Sequence, residues 1–369
     1  MIQAAKPLRE GRTKAMPFLK NTWYVAANAP ELDQDMVSRM ICGEQIVMFR
    51  TSTGEVSAIQ DRCPHRFVPL SMGRRVGDSL ECGYHGLRFD GTGACVDAPN
   101  DDDNQKARAC VKSYRAVERY SVVWIWMGDP ALADEEKIPA FEFLADQENY
   151  TCCQGYSHIK GNYQLISDNL LDLSHIHYLH PGIHEGSSFA DFTNKVQRDG
   201  DTVWSMLWRH HYHVDAAKRP FFGMPGDAED VEGQGHARWD APGVLFVNTA
   251  WWDHGSSFEE GVRTPNAHLI TPETETTSHY FWASGRNFAR DNEAVTTATA
   301  ATMKNVFETQ DGPMVEAQQR DMGHSTDFLD HKPIILKADA AGVMARRIMS
   351  QKIRAEQPSK NADVLQPAE

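Results

Sequence analysis

Hydrophobic and polar positions alternate with a short period over the first third of the chain and change character after it. From Asn21 to about Asp129, the runs WYVAANA, RMICGEQIVMFRT, VSAIQD, SLECGYHGLRFD and YRAVERYSVVWIWMG carry the alternation of strands. Gly54, Gly77-Asp78, Asp90-Gly91 and Gly93 supply turns between them. The pattern predicts a small all-β domain over residues 18–135. An acidic, proline-bearing connector, DPALADEEKIPAFEFLADQENY, follows. In GNYQLISDNLLDLSHIHYLH, the apolar Tyr163, Ile166, Leu170, Leu173 and Ile176 recur at helical spacing, and Pro181-Gly182 predicts its end. Strand-like runs return at TVWSMLWRHHYHV, GVLFVNTAWW, AHLITPETE and SHYFWASGRNF. NEAVTTATAATMKNVFETQ and MVEAQQRDMG read as two further helices. A second, larger domain of sheet plus helices is predicted over residues 150–355, so the expected class is α+β.

Composition narrows the setting. The 369 residues are 41% hydrophobic, with a formal net charge of −14. That balance argues against nucleic acid, whose phosphates need a basic face. No run approaches the ~20 apolar residues of a membrane span, and MIQAAKPLREGRTKAMPF lacks the apolar core of a signal peptide. A cytoplasmic protein without a membrane anchor is expected. Seven cysteines in such a chain do not suggest disulfides. Cys42, Cys95, Cys110, Cys152 and Cys153 read as ordinary thiols.

The remaining cysteines stand in a different context. Cys63-Pro-His65 is followed, after sixteen residues, by Cys82-Gly-Tyr-His85. Two thiolates and two imidazoles in paired loops suit a 2Fe–2S cluster whose second iron takes histidines, which raises its potential. Zinc also takes Cys₂His₂ sets, but those more often open with a Cys-x₂₋₄-Cys pair, which is missing here.

The helical segment carries the frame Asn169-x-x-Asp172-x-x-His175-x₄-His180. Two histidines plus a carboxylate suit Fe(II) with positions left for dioxygen. On a regular helix His180 lies about 140° around from His175. One ion can take both only if the helix widens, or ends so that His180 swings back. His177 and His184 read as ordinary surface or core histidines. Glu308, Asp311 and Glu316 are candidates for the carboxylate. Gly312-Pro313 suggests a helix start just after Asp311.

Taken together, NTWYVAA, DRCPHRF, GYHGLRFDGTG, ERYSVVWIWMGDP, NLLDLSHIHYLH, TPETETTSHYFWASGRNF and DGPMVEAQQR resemble the Rieske non-heme iron oxygenases. They are most similar to the vanillate-demethylase and dicamba-monooxygenase-like branch. The resemblance implies an N-terminal Rieske domain and a C-terminal helix-grip-like catalytic domain with an antiparallel sheet. It implies a 2Fe–2S cluster on Cys63, His65, Cys82 and His85, and mononuclear iron on His175, His180 and Asp311, with Glu308 as the fallback ligand. Asp172 would accept the free N–H of His175 and meet His85 of a neighbouring chain in a head-to-tail trimer. Asn169 would be a distant iron neighbour or a packing residue.

The implied activity is that of a terminal oxygenase using O₂ and electrons from a separate NAD(P)H-dependent reductase or ferredoxin. It would O-demethylate or hydroxylate a substituted aromatic acid. Ring dihydroxylation and N-demethylation are alternatives within the class, and a pure electron-transfer protein is an alternative outside it. Phe246, Asn248, Trp251, Trp252, His268, Trp282 and Arg286 offer pocket walls, and in relatives a histidine at the place of His268 contacts substrate. Arg209, His268 or Arg286 would meet a carboxylate. Strand alternation puts His211 and His213 of RHHYH on one face, with no further ligand evident.

Overall fold

The structure is a computed structural model; it describes residues 18–99, 106, 108–180, 192–213, 219, 223 and 230–357. Pro181, Gly182 and His184 lie outside the described residues. The N-terminal part is all β. One sheet joins Trp23–Asn28 to Val122–Trp126 and Ala116–Arg119. A second runs Val37–Ile41, Glu44–Arg50, Val56–Gln60 and Ser113–Tyr114. A third, of four very short strands, runs Arg74–Val76, Ser79–Glu81, Arg88–Asp90 and Cys95–Asp97. The run SLECGYHGLRFD is therefore two strands with a loop between them, and that loop holds Cys82 and His85. Val47, Phe49, Ile59, Leu70, Leu80 and Phe89 form the core beneath Cys63 and Cys82.

The C-terminal part is built on a seven-stranded antiparallel sheet. Its strands are β1 (Thr151–Ile159), β2 (Phe192–Asp199), β3 (Thr202–His213), β4 (Asp230–Asp240), β5 (Val244–Asp253), β6 (Val262–Pro272) and β7 (Ser278–Arg286). Their spatial order is β1-β7-β6-β5-β4-β3-β2. Periodicity does not mark β1, β2 or β4. In β4 the glycines are the reason: DVEGQGHARWD scores poorly as a strand. Gly233 is needed there because a Cβ would come within 2.6 Å of the Trp251 ring.

The two faces of this sheet have different partners. Val244, Ala267, Leu269, Phe281 and Ala283 pack against Trp23, Val25, Trp124 and Trp126 of the N-terminal part. Polar contacts tie the same seam, including Thr271 Oγ1 donating to the Val25 carbonyl at 2.7 Å. The other, inner face carries Val203, Ala237, Trp239, Leu245, Ile270, Tyr280 and Trp282. It is covered by α1 (Tyr163–Leu171), by the long C-terminal helix α5 (Ala340–Glu356), and by Phe307 and Val315 of the helix between them.

Two helical expectations change. The 163–180 segment is not one helix: α1 stops at Leu171, Asp172 takes an extended conformation (φ −88°, ψ 91°), and a single turn, α2 (Ile176–Leu179), follows. Conversely, no helix starts at Gly312-Pro313. Helix α3 (Glu293–Val306) runs through a π-helical turn, Phe307–Asp311, directly into α4 (Gly312–Met322). A proline fits inside this run because the wide turn has already displaced the regular i→i−4 bonds.

Candidate metal centres and substrate pocket

The break in the first helix and the π turn in the later one bring one site together. His180 ends α2 with φ −112° and ψ 74°, so its ring swings back toward His175, with centroids 5.2 Å apart. The π turn projects Asp311 between them. Asp311 Oδ1 lies 3.4 Å from His175 Nε2 and 3.5 Å from His180 Nε2. Asp311 and His180 are buried. Of the two ways His180 could reach the site, the chain uses the helix end; the widening occurs in the other helix.

Each imidazole is oriented through its second nitrogen. His180 Nδ1 meets Gln310 Oε1 at 2.6 Å. His175 Nδ1 meets the main-chain carbonyl of Asp172, not its carboxylate. The Asp172 carboxylate instead accepts from Ser174 N–H and Oγ–H, at 2.8 and 2.6 Å. The helix break explains this: once Asp172 leaves the helix, its carbonyl turns toward His175 and its side chain caps the following turn. Asn169 Nδ2 donates to Asp311 Oδ1 at 3.1 Å. Glu308 is exposed beside Lys304, and Glu316 accepts from the Lys160 N–H, so neither competes for the site.

Gly312 is fixed by the same turn. Its N–H bonds the Phe307 carbonyl, and a Cβ would stand 2.4 Å from that oxygen. Burial alone would push His175 toward the neutral form, but the adjacent Asp311 carboxylate outweighs it and raises the pKa. One ligand atom from each of His175, His180 and Asp311 falls within a 4.8 Å span. A buried anion facing two Nε2 atoms whose Nδ1 atoms are already engaged fits a divalent iron.

The N-terminal loops form the second centre. Cys63 and Cys82 are buried side by side, while the rings of His65 and His85 face each other at 4.5 Å near the surface. Burial and the neighbouring Cys82 push the Cys63 thiol up, whereas the His65 and Arg66 N–H groups favour its thiolate. Two buried sulfurs below two accessible imidazoles are a donor set that would fit a 2Fe–2S cluster with two cysteine and two histidine ligands. Phe67, Met72 and Tyr84, 61%, 72% and 59% exposed, ring this tip.

The pocket candidates separate by face. His268 lies on the inner face, opposite Leu245 and Trp282 in register. Its Nδ1 bonds Tyr280 Oη at 2.6 Å, and its ring touches Phe307. Burial lowers its pKa to about 4, so it is neutral at ordinary pH. Trp251 shares this face, packed with Val231 and Val262. Asn248 does not: it pairs with Pro265 and His236 beside Phe246, on the face turned toward the N-terminal part. Arg286 donates to the Ala289 and Asn292 carbonyls and to Thr296 Oγ1, which is a structural task. Arg209 is buried on the inner face, its guanidinium over Trp251 and Phe192, 4.8 and 5.6 Å from the centroids. Phe192 in turn touches His177 of α2.

Comparison with known proteins agrees with this architecture. Residues 22–115 match the Rieske [2Fe-2S] domain, and residues 159–355 match the vanillate O-demethylase oxygenase C-terminal domain. The chain is 36% identical to the oxygenase component of chloroacetanilide N-alkylformylase from Rhizorhabdus wittichii, covering 92% of this chain and 97% of the relative. It is 34% identical to the oxygenase component of dicamba O-demethylase from Stenotrophomonas maltophilia, covering 90% and 97%. The crystal structure of dicamba monooxygenase bound to 3,6-dichlorosalicylic acid superposes with a TM-score of 0.84 at 32% identity, covering 92% of this chain and 99% of that one. No helix among the described residues is long and apolar enough to cross a membrane. The chain belongs to the Rieske non-heme iron oxygenases of the vanillate O-demethylase type, oxidoreductases that combine a [2Fe–2S] cluster with a mononuclear iron.

Proposed function

We propose that this chain is the terminal oxygenase of a multicomponent monooxygenase that O-demethylates or hydroxylates a substituted aromatic acid. The observation that carries this reading is the convergence of His175, His180 and Asp311, with the buried His268 on the inner sheet face beside Phe307. Arg209, a buried guanidinium over Trp251 and Phe192, lies farther along that face, six residues along the strands and three strands across from His268. Arginine matches a carboxylate in a bidentate fork and stays charged at any working pH. His268, neutral, offers Nε2 to a polar group of the substrate, such as an ether or hydroxyl oxygen; that nitrogen makes no hydrogen bond among the described residues.

Cys63, His65, Cys82 and His85 would hold the cluster, and His175, His180 and Asp311 the iron. When bound, these groups supply single electrons and oxygen activation. The protein contributes orientation and exclusion of water. Gln310 and the Asp172 carbonyl hold both Nε2 atoms toward Asp311, where the iron would be bound, and Asn169 restrains Asp311. In a demethylation, one oxygen atom enters a methyl C–H bond and the other leaves as water, consuming two electrons and two protons. The hemiacetal then loses formaldehyde to give the phenol. The electrons come from NAD(P)H through a separate reductase or ferredoxin.

Assembly follows the same reading. His65 and His85 sit at an exposed apolar tip. Asp172, His175, Tyr178 and Met314 line an open cleft on the catalytic part, and Tyr178 and Met314 are exposed there. Tip and cleft suit a head-to-tail ring, a trimer, in which one chain's His85 meets the next chain's Asp172.

A second reading, N-dealkylation of a neutral anilide, is favoured by the 36% identical N-alkylformylase relative. The test supplies purified enzyme with a surrogate reductase, NADH and O₂. Methoxybenzoates and N-alkyl anilides are compared by formaldehyde release and product mass. Turnover of the anilides with none of the acids would replace the first reading by the second.

A further inference from the structure

Away from the iron-type site, a second group of imidazoles converges on a carboxylate. Regular alternation along β3 would send His210 and His211 to opposite faces, and would pair His211 with His213. The register with β4 slips instead: Arg209 faces Gly233 and Tyr212 faces Val231, so β3 carries an extra residue. Such a bulge re-aims a side chain. His211 sits at φ 52°, in the left-handed region that histidine tolerates better than most residues. Its ring lies 4.5 Å from that of His254, centroid to centroid. His254 follows β5, and its Nδ1 is 2.9 Å from Glu232 Oε1. His210 Nδ1 is 2.8 Å from the other oxygen, Oε2.

We propose that His211, Glu232 and His254 bind a divalent transition ion of the zinc type, with His210 positioning the carboxylate. One ligand atom from each of the three lies within 4.8 Å of the other two. Two imidazoles and one carboxylate are borderline donors that suit zinc, whereas magnesium and calcium prefer oxygen alone. Both oxygens of Glu232 are held by imidazoles, and its side chain is mostly covered (16% exposed). The carboxylate is thus already oriented, which lowers the cost of binding. His210 and His254 are more than half exposed, leaving a path for the ion and room for water as a further ligand. The ion would clasp the ends of β3, β4 and β5. Glu232 adjoins Gly233, and Arg209 adjoins His210, so the clasp lies on the reverse of the wall that carries Arg209 and Trp251.

The test uses the holoprotein with cluster and iron in place, dialysed against zinc sulfate, with both metals counted per chain. A single added zinc is expected with no loss of iron. Glu232→Gln and His254→Ala should each lower zinc affinity by at least about tenfold and leave the iron count and cluster absorbance unchanged. Zinc that enters only as iron leaves, or that both variants retain as tightly as the native protein, would overturn the proposal. In wild-type crystals soaked in zinc, an anomalous peak between His211, Glu232 and His254 is required. Its absence would reduce the cluster to a hydrogen-bonded histidine–glutamate set.

Discussion

Replacing Gln310 by alanine probes how the iron-type site is oriented. His180 Nδ1 and Gln310 Oε1 are 2.6 Å apart, next to the buried Asp311. With the amide oxygen gone, a buried N–H has no acceptor, at a cost of about 1–3 kcal/mol. Removing the group that orients a metal-binding histidine lowers metal affinity by about 10–100-fold. At about 1.4 kcal/mol per factor of ten, that is about 1.4–2.8 kcal/mol, so the two routes agree. Gln310→Ala is therefore expected to lose iron to a competing chelator about 10–100 times more readily than the native protein, with the cluster spectrum intact. Gln310→Glu keeps an acceptor in place and should retain iron nearly as well as the native chain. The assay is iron per chain after dialysis against graded chelator, with cluster absorbance as the control for folding. If Gln310→Ala holds iron as tightly as the native protein, His180 is oriented by something else and the argument fails.

Other perturbations separate the remaining roles. Gly312→Ala forces a Cβ to within 2.4 Å of the Phe307 carbonyl. It should cost about 1–3 kcal/mol in thermal unfolding and release iron before the cluster; an unchanged melting temperature would show that the turn gives way freely. Arg209→Met is expected to raise KM for a carboxylated substrate by about 10–100-fold, the worth of a charge-assisted hydrogen bond, while a neutral amide analogue is nearly unaffected. Equal losses for both would remove Arg209 from substrate binding. Asp172→Asn keeps an acceptor for Ser174 and should retain both metals, yet lose at least about tenfold in turnover if its carboxylate serves the neighbouring chain's His85. Near-native turnover would return Asp172 to a turn-capping role. Cys82→Ala chains mixed with His175→Ala chains should recover partial turnover that neither homo-oligomer shows, and well-folded but inactive mixtures would refute electron transfer between chains.

Much of the site could be read from the sequence because its groups are close along the chain. Cys63-Pro-His65 and Cys82-Gly-Tyr-His85 are two short motifs that paired loops can bring together, and His175 and His180 share one segment, where they converge only if the helix widens or ends. The pairing of that segment with Asp311, more than 130 residues later, rested on resemblance, since Glu308 and Glu316 offer the same chemistry from the same stretch. Gln310 gave no signal at all: a neutral amide on a helix is ordinary until a buried imidazole lies against it. The run VLFVNTAWWDH offers Asn248 as a polar group among apolar walls, and only the strand register, Leu245 opposite His268 and Asn248 opposite Pro265, puts it on the other face.

The largest departures share a cause. Helix periodicity predicts a continuous helix through Asp172, the Gly312-Pro313 pair predicts a helix start, and strand alternation puts His211 and His213 on one face. The chain instead breaks a helix, widens one into a π turn, and inserts a bulge. Each irregularity gives up regular local geometry that periodicity can detect, in exchange for tertiary contacts that it cannot. At Asp172 the freed carbonyl takes His175. At the π turn, Asp311 reaches both imidazoles. At the bulge, His211 turns toward His254 and Glu232. The first two irregularities build the iron-type site, so the third, which has no part in that site, is the place where the same physical logic points to a second ion.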